Sequence, residues 1–165
     1  MALSSYTDKS GKSYNYHEIF KSASNNFIIL SPDNVAFRVD PIKLQASSSV
    51  FRDMCLVCNP ESNDHLNIGS ESRALYLYLS AVHDGSVKLE ADQWDISKEA
   101  ISLCREFDTP KAALRMLKAI RPISLFSAQH AYELFELAAE YEDVLTAFKI
   151  IYSLASSAAT EDLKM

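Results

Sequence analysis

The sequence predicts an α+β fold, and three observations carry that prediction. Two short apolar segments around a Ser-Pro-Asp-Asn turn run into Asp40-Pro41 and a helical stretch that ends near Met54. After Ser70, Leu75, Tyr78, Leu79 and Val82 recur at helical spacing while Leu77 and Ala81 make the other side apolar, the pattern of a central helix buried on both faces. From Asp95 onward the apolar pattern is purely helical.

Residues 1–13 are polar and aperiodic, which predicts a mobile tail, and Tyr16, Ile19, Phe20 and Ala23 stand near helical spacing, which predicts a short helix. Phe27 to Leu30 reads as a buried strand. Pro32 suits the second position of a type I turn, and Asp33 and Asn34 tolerate the backbone that follows. Val35, Phe37 and Val39 alternate with Ala36 and Arg38, giving a strand with one apolar face. Asp40 can cap orphan helix amides, and Pro41 takes a position that needs no N–H. Ser47-Ser48-Ser49 form the break and cap before a second helix carrying Val50, Phe51, Met54 and Cys55. Asn59-Pro60 and Ser62-Asn63 mark a loop, and Leu66 with Ile68 a brief strand. Ser70 is the expected cap of the central helix, Gly85 its left-handed end, and Val87 with Leu89 one more short strand.

Four helical stripes follow: Ala100, Leu103, Cys104 and Phe107; Ala113, Met116, Leu117 and Ile120; Ala131, Leu134, Phe135 and Ala138; Ala147, Ile150, Ile151 and Leu154. A shift of 34 residues pairs Leu103 with Leu137, Cys104 with Ala138, Phe107 with Tyr141, Ala113 with Ala147 and Leu117 with Ile151. Two copies after a run of strands predict two stacked helical hairpins of similar build and not a repeat array.

Composition narrows the function classes. The chain has 165 residues, 48% hydrophobic and 23% charged, with a net charge of −6 and its lysines and arginines scattered. That balance argues against nucleic-acid binding and against attraction to anionic membranes. No apolar run approaches the roughly 18 residues of a spanning helix, and no signal-peptide pattern follows Met1. Three cysteines, an odd number, read as free thiols in a reducing compartment, the cytoplasm or nucleus. Gly11, Gly69 and Gly85 are the only glycines, so no dinucleotide fingerprint, Walker loop or Gly-x-Ser-x-Gly elbow can be built.

Three segments then bear a resemblance. Phe-Arg-Val-Asp-Pro-Ile-Lys-Leu-Gln-Ala-Ser-Ser-Ser-Val-Phe-Arg-Asp-Met (37 to 54), Leu-Tyr-Leu-Tyr-Leu-Ser-Ala-Val-His-Asp-Gly-Ser-Val (75 to 87) and the helical hairpin from Glu99 to Ile120 resemble the BTB/POZ family, most closely the BTB proteins of mushroom-forming fungi. The resemblance implies a small three-stranded sheet flanked by helices over 24–121, a non-catalytic module that binds proteins. It implies a BACK-like helical hairpin over 122–158, leaving 1–23 and 159–165 as tails. The implied partner surface takes Phe51, Met54, Asn59, Glu61, His83 and Phe107, with a cullin among the candidate partners and a homodimer as a second expectation. The chain departs from the family pattern at Asn26, at Asp40-Pro41 in place of a His-basic pair, at Asn59 where an apolar anchor is usual, and at His83 where a Tyr is usual.

No catalytic set, cofactor or metal is expected, and the chain does not read as an enzyme. The main chemical alternative is a thiol redox or metal-sensing role for Cys55 and Cys58. A redox pair favours a helix N-terminus, whereas these follow Phe51 and Met54 at a helix end, and His65 is the only nearby further zinc ligand. Glu133, Glu136, Glu140 and Glu142 read as a solvated face, and Trp94 as either a hydrophobic staple or an interface anchor.

Overall fold

The computed structural model describes residues 5–22, 24–57, 65–83, 85, 87, 89–90, 92–124 and 127–162. Its strands are β1 (Ser5–Thr7), β2 (Ser13–Tyr16), β3 (Phe27–Leu30), β4 (Val35–Val39) and β5 (His65–Asn67). Its helices are α1 (Pro41–Ser47), α2 (Ser49–Val57), α3 (Ser72–His83), α4 (Trp94–Glu106), α5 (Pro110–Ser124), α6 (Ala128–Glu140) and α7 (Val144–Asp162). The fold is α+β, with one mixed sheet in the order β1-β2-β4-β3-β5.

Next to the β5 edge of the sheet, β3 pairs antiparallel with the central strand β4, placing Ile29 opposite Phe37, and parallel with β5, placing Ile29 beside Leu66. The sheet has five strands and not the three expected, because the N-terminal segment adds a hairpin to the β4 edge. There β1 runs antiparallel to β2, and β2 parallel to β4. Expectations of a mobile tail over residues 1–13 and a short helix before residue 23 are therefore corrected for the residues described. The turn has a clear cause. The Asp8 carboxylate accepts from the N–H groups of Ser10 (2.9 Å) and Lys12 (3.0 Å), and Gly11 takes φ 85°. Tyr14 then buries its ring with Ile28, Leu30 and Ala36 on one face of the sheet, with Tyr6 and Tyr16 alongside. Phe20, assigned by spacing to a helix, instead joins the main core from an irregular stretch whose carbonyl accepts from Arg38 N–H at 2.7 Å. Val87 and Leu89 form no strand; they pack against the main core as loop residues, which accounts for their apolar alternation.

Helix boundaries follow local chemistry. Asp40 caps α1, accepting from Ile42 N–H at 2.9 Å, with Pro41 as the first helical residue. Gly85, at φ 71°, donates its N–H to the Ser80 carbonyl at 3.2 Å and closes α3. The start of α3 differs from the expectation of a Ser70 cap. The helix begins at Ser72, whose N–H (3.0 Å) and hydroxyl (2.5 Å) both donate to the Asp33 carboxylate in the β3–β4 turn. Asp33 thus caps a helix far from it in sequence and fastens the hairpin to α3.

The two C-terminal hairpins, α4–α5 and α6–α7, are built alike. Asp108 and Glu142 both take left-handed conformations, φ 47° and 55°, and the next residues, Thr109 and Asp143, donate their N–H groups back to Cys104 and Ala138 at 2.8 Å. These are matching helix ends with a back-reaching bond. Their equivalence realises the 34-residue shift in the sequence.

Partial burial pulls the Asp33 pKa up, but hydrogen bonds from Ser31 and Ser72 outweigh it and leave the carboxyl below its ordinary value. A depressed carboxylate stabilises above its unfolded pKa and loses that stabilisation as pH falls through the folded one. Asp33→Ala should therefore cost about 1 kcal/mol in urea unfolding at pH 7. The gap to wild type should close below about pH 4.

Candidate functional site

Two chain bends face each other at the centre of the molecule. In the first, between α1 and α2, the buried Ser48 hydroxyl accepts from Phe51 N–H at 3.0 Å, capping α2. The same hydroxyl donates to the carbonyl of Phe107 in the second bend, between α4 and α5. Beside it, Ser49 Oγ donates to the Asp108 carboxylate at 2.5 Å. The Phe51 and Phe107 rings stack at 4.8 Å and 19°. Phe27 of β3 meets Phe51 edge-on at 6.2 Å, and Tyr78 of α3 lies 5.8 Å from Phe107. Sheet and helices α2 to α5 thus converge on one aromatic cluster.

Of the six residues expected to form a partner surface, the structure brings Phe51 and Phe107 together, but in the interior, where both are buried. Met54 is half-buried on α2, next to half-buried Cys55 and to Leu56, which is 80% exposed. His83 ends α3 half-buried, edge-on to Phe20 at 5.7 Å. Asn59 and Glu61, like Cys58, lie outside the described residues. Among the described residues of α2 the exposed large apolar side chain is thus Leu56, a position the resemblance does not take. Its signal was its place on α2, one residue beyond Cys55 on the opposite side from Phe51.

A second junction joins the two C-terminal hairpins. Trp94, at the start of α4, is buried and stacks on His130 of α6 at 4.4 Å and 15°. Glu133 gathers three donors: Trp94 Nε1 at 3.0 Å, Lys98 Nζ at 2.8 Å and Gln129 Nε2 at 2.8 Å. The Lys98 bond first, then those of Gln129 and Trp94, bring its pKa down to about 2. Arg105 pairs with Glu140 farther along, and Tyr141 Oη donates to the Ile101 carbonyl at 3.4 Å. Glu133 and Glu140, expected on a solvated face, are instead the acidic halves of contacts between α4 and α6.

Two recesses lie among the described residues. Between His17, Tyr76, Arg73 and Gln93 lies a recess of about 150 Å³, below the roughly 300 Å³ at which small-molecule pockets begin. His17 is stacked between Phe37 and Tyr76 at 4.9 Å on each side, and burial lowers its pKa against a smaller opposing effect of Glu18. A shallower groove of about 290 Å³ runs along Lys98, Glu133, Glu136 and Glu140. Cys104 is buried and its pKa is pushed up to about 12, which suppresses the reactive thiolate. His65 Nδ1 lies 3.1 Å from the Tyr6 hydroxyl, engaged in joining the sheet edges. Among the described residues no group of three or more His, Cys, Asp or Glu is placed to hold a metal ion, and no helix is long and apolar enough to cross a membrane. No protein-family model and no curated protein matches the chain.

Glu133 and the single tryptophan make the α4–α6 junction measurable. Because the Glu133 pKa is depressed, its contribution is present above the unfolded value near pH 4.3 and is lost as pH falls through about 2. Glu133→Gln should lower the melting temperature by about 2 °C at pH 7. That difference should vanish near pH 2, with Trp94 fluorescence reporting the loosened junction.

Proposed function

We propose that the chain is a non-enzymatic protein-interaction module of the BTB/POZ kind, an adaptor or scaffold in a cullin-type ubiquitin ligase or another regulatory complex. One observation carries this reading. The inner end of α2 is fixed by the Ser48 cap and the Phe51 stack, and its outer end presents Leu56 to solvent beside Met54. A rigid helix that offers an exposed aliphatic anchor at a fixed position is what a protein partner reads with little ordering cost.

Three further features support it. The succession of β3–β4 hairpin, helix pair α1–α2, strand β5, helix α3 and helical hairpin α4–α5 is the order that the resemblance leads one to expect. The side chains of Ser48, Ser49 and Asp108 hold the chain bends in register. Asn59 and Glu61, the positions at which the resemblance places a cullin contact, follow α2 in the sequence. Phe51 and Phe107 enter this reading as the supports behind the surface, and Met54 and Leu56 as its contacts.

The reading is tested by calorimetric titration of the purified chain with a cullin N-terminal domain. Binding is expected, weakened about 10- to 100-fold by Met54→Glu with Leu56→Glu while the far-ultraviolet circular dichroism is unchanged. A folded wild-type chain that gives no binding heat with any cullin would remove the ubiquitin-ligase role.

A further inference from the structure

Helix α7 carries apolar side chains on both of its sides. One side is accounted for: Ile150 and Thr146 are buried against the rest of the helical stack. On the other, Val144, Leu145, Phe148, Ile151 and Tyr152 all face solvent, Phe148 at 63% and Tyr152 at 67% exposure, with their rings stacked at 6.4 Å. At 3.6 residues per turn these five fall within one arc roughly 120° wide and about 12 Å long. A solvated helix face is polar, so an arc of this kind marks a surface that something covers.

The chain holds its own control. Helix α5 is the equivalent of α7 one hairpin earlier. At the positions that match Leu145 and Tyr152, α5 carries the exposed Lys111 and Lys118. Pro110 matches Val144, and Leu114, 41% exposed, matches Phe148. Leu117, the match of Ile151, is fully buried, whereas Ile151 is 55% exposed. Two differences therefore separate the helices: among the described residues nothing buries the Ile151 side of α7, and its outward side has apolar residues where α5 has lysines.

We propose that this face of α7 is a self-association surface, paired about a two-fold axis with the same face of a second copy. Complementarity favours that occupant. From residue 144 to 155 the only charged side chain is Lys149, at the edge of the arc, so two copies meet without opposed charges at the centre. Apart from Leu154 of α7, the other large apolar residues exposed among those described, such as Ile19, Ile42 and Leu56, are scattered on other elements and form no matching stripe. Burying the exposed parts of the α7 residues would remove roughly 600 Å² per chain, about 1,200 Å² for a symmetric pair, within the range of specific interfaces. A lipid surface is a poorer fit, because the arc has one lysine and the chain has a net charge of −6.

Sedimentation equilibrium of the full chain across the micromolar range tests the proposal. The mass should rise from 18.5 kDa toward twice that value with concentration. Phe148→Glu and Phe148→Lys, at an exposed position, should each weaken association about 100-fold, since each substitution enters the interface twice. Mixing the two variants should restore a heterodimer. A wild-type chain that stays at 18.5 kDa, a Phe148→Glu chain that associates like wild type, or a mixture that stays monomeric would overturn the proposal. So would a monomeric wild-type chain that binds zwitterionic vesicles and loses that binding on Phe148→Glu. Leu56→Glu should leave the dimer intact, so failure here is distinct from failure of cullin binding.

Discussion

The Ser48 hydroxyl, donating to the Phe107 carbonyl while it caps α2, is the contact on which the rest of the architecture depends. Its two partners lie in different bends, and the stack of Phe51 on Phe107 follows from holding those bends together. A buried carbonyl at a helix end needs a donor, and a buried helix start needs an acceptor. One hydroxyl meets both needs. An apolar residue at position 48 would leave a donor and an acceptor unsatisfied in the interior, each at a cost of about 1–3 kcal/mol. The exposed end of α2 inherits its position from this lock, and so does the surface assigned to a partner.

The second half of the chain is organised by duplication. Hairpins α4–α5 and α6–α7 share bend geometry as well as apolar spacing, and α6 adds to α4 through Trp94, Lys98 and Arg105. A stack of this kind buries each hairpin against the next. At α7 that face is apolar, whereas the outward side of α5 is lysine-bearing. The two proposed surfaces, at α2 and α7, sit on different elements and use different chemistry.

Features fixed by neighbouring residues were legible in the sequence. Asp40-Pro41 marked a helix start, Gly85 a helix end, and the 34-residue shift the paired hairpins, because caps and apolar stripes act over a few residues. Features fixed across the chain were not. Nothing near Asp33 says that it caps a helix beginning at Ser72, or that Glu133 collects donors from Trp94 and Lys98. The β1–β2 hairpin was missed because its strands are short and mostly polar, although Asp8, Gly11 and the alternating Tyr14 and Tyr16 were its signals. Phe107 shows how two readings of one residue diverge: the resemblance placed it on a partner surface, while its stripe with Leu103 and Cys104 placed it inside, where it lies.

If Ser48 locks the two bends as a unit, hydrogen–deuterium exchange in Ser48→Ala would reveal it most directly. The account predicts that amides at the start of α2 and in the α4–α5 bend, from Phe51 and from 107 to 109, lose protection together and by similar factors. Loss of protection confined to the start of α2, with the α4–α5 bend exchanging as in wild type, would contradict it.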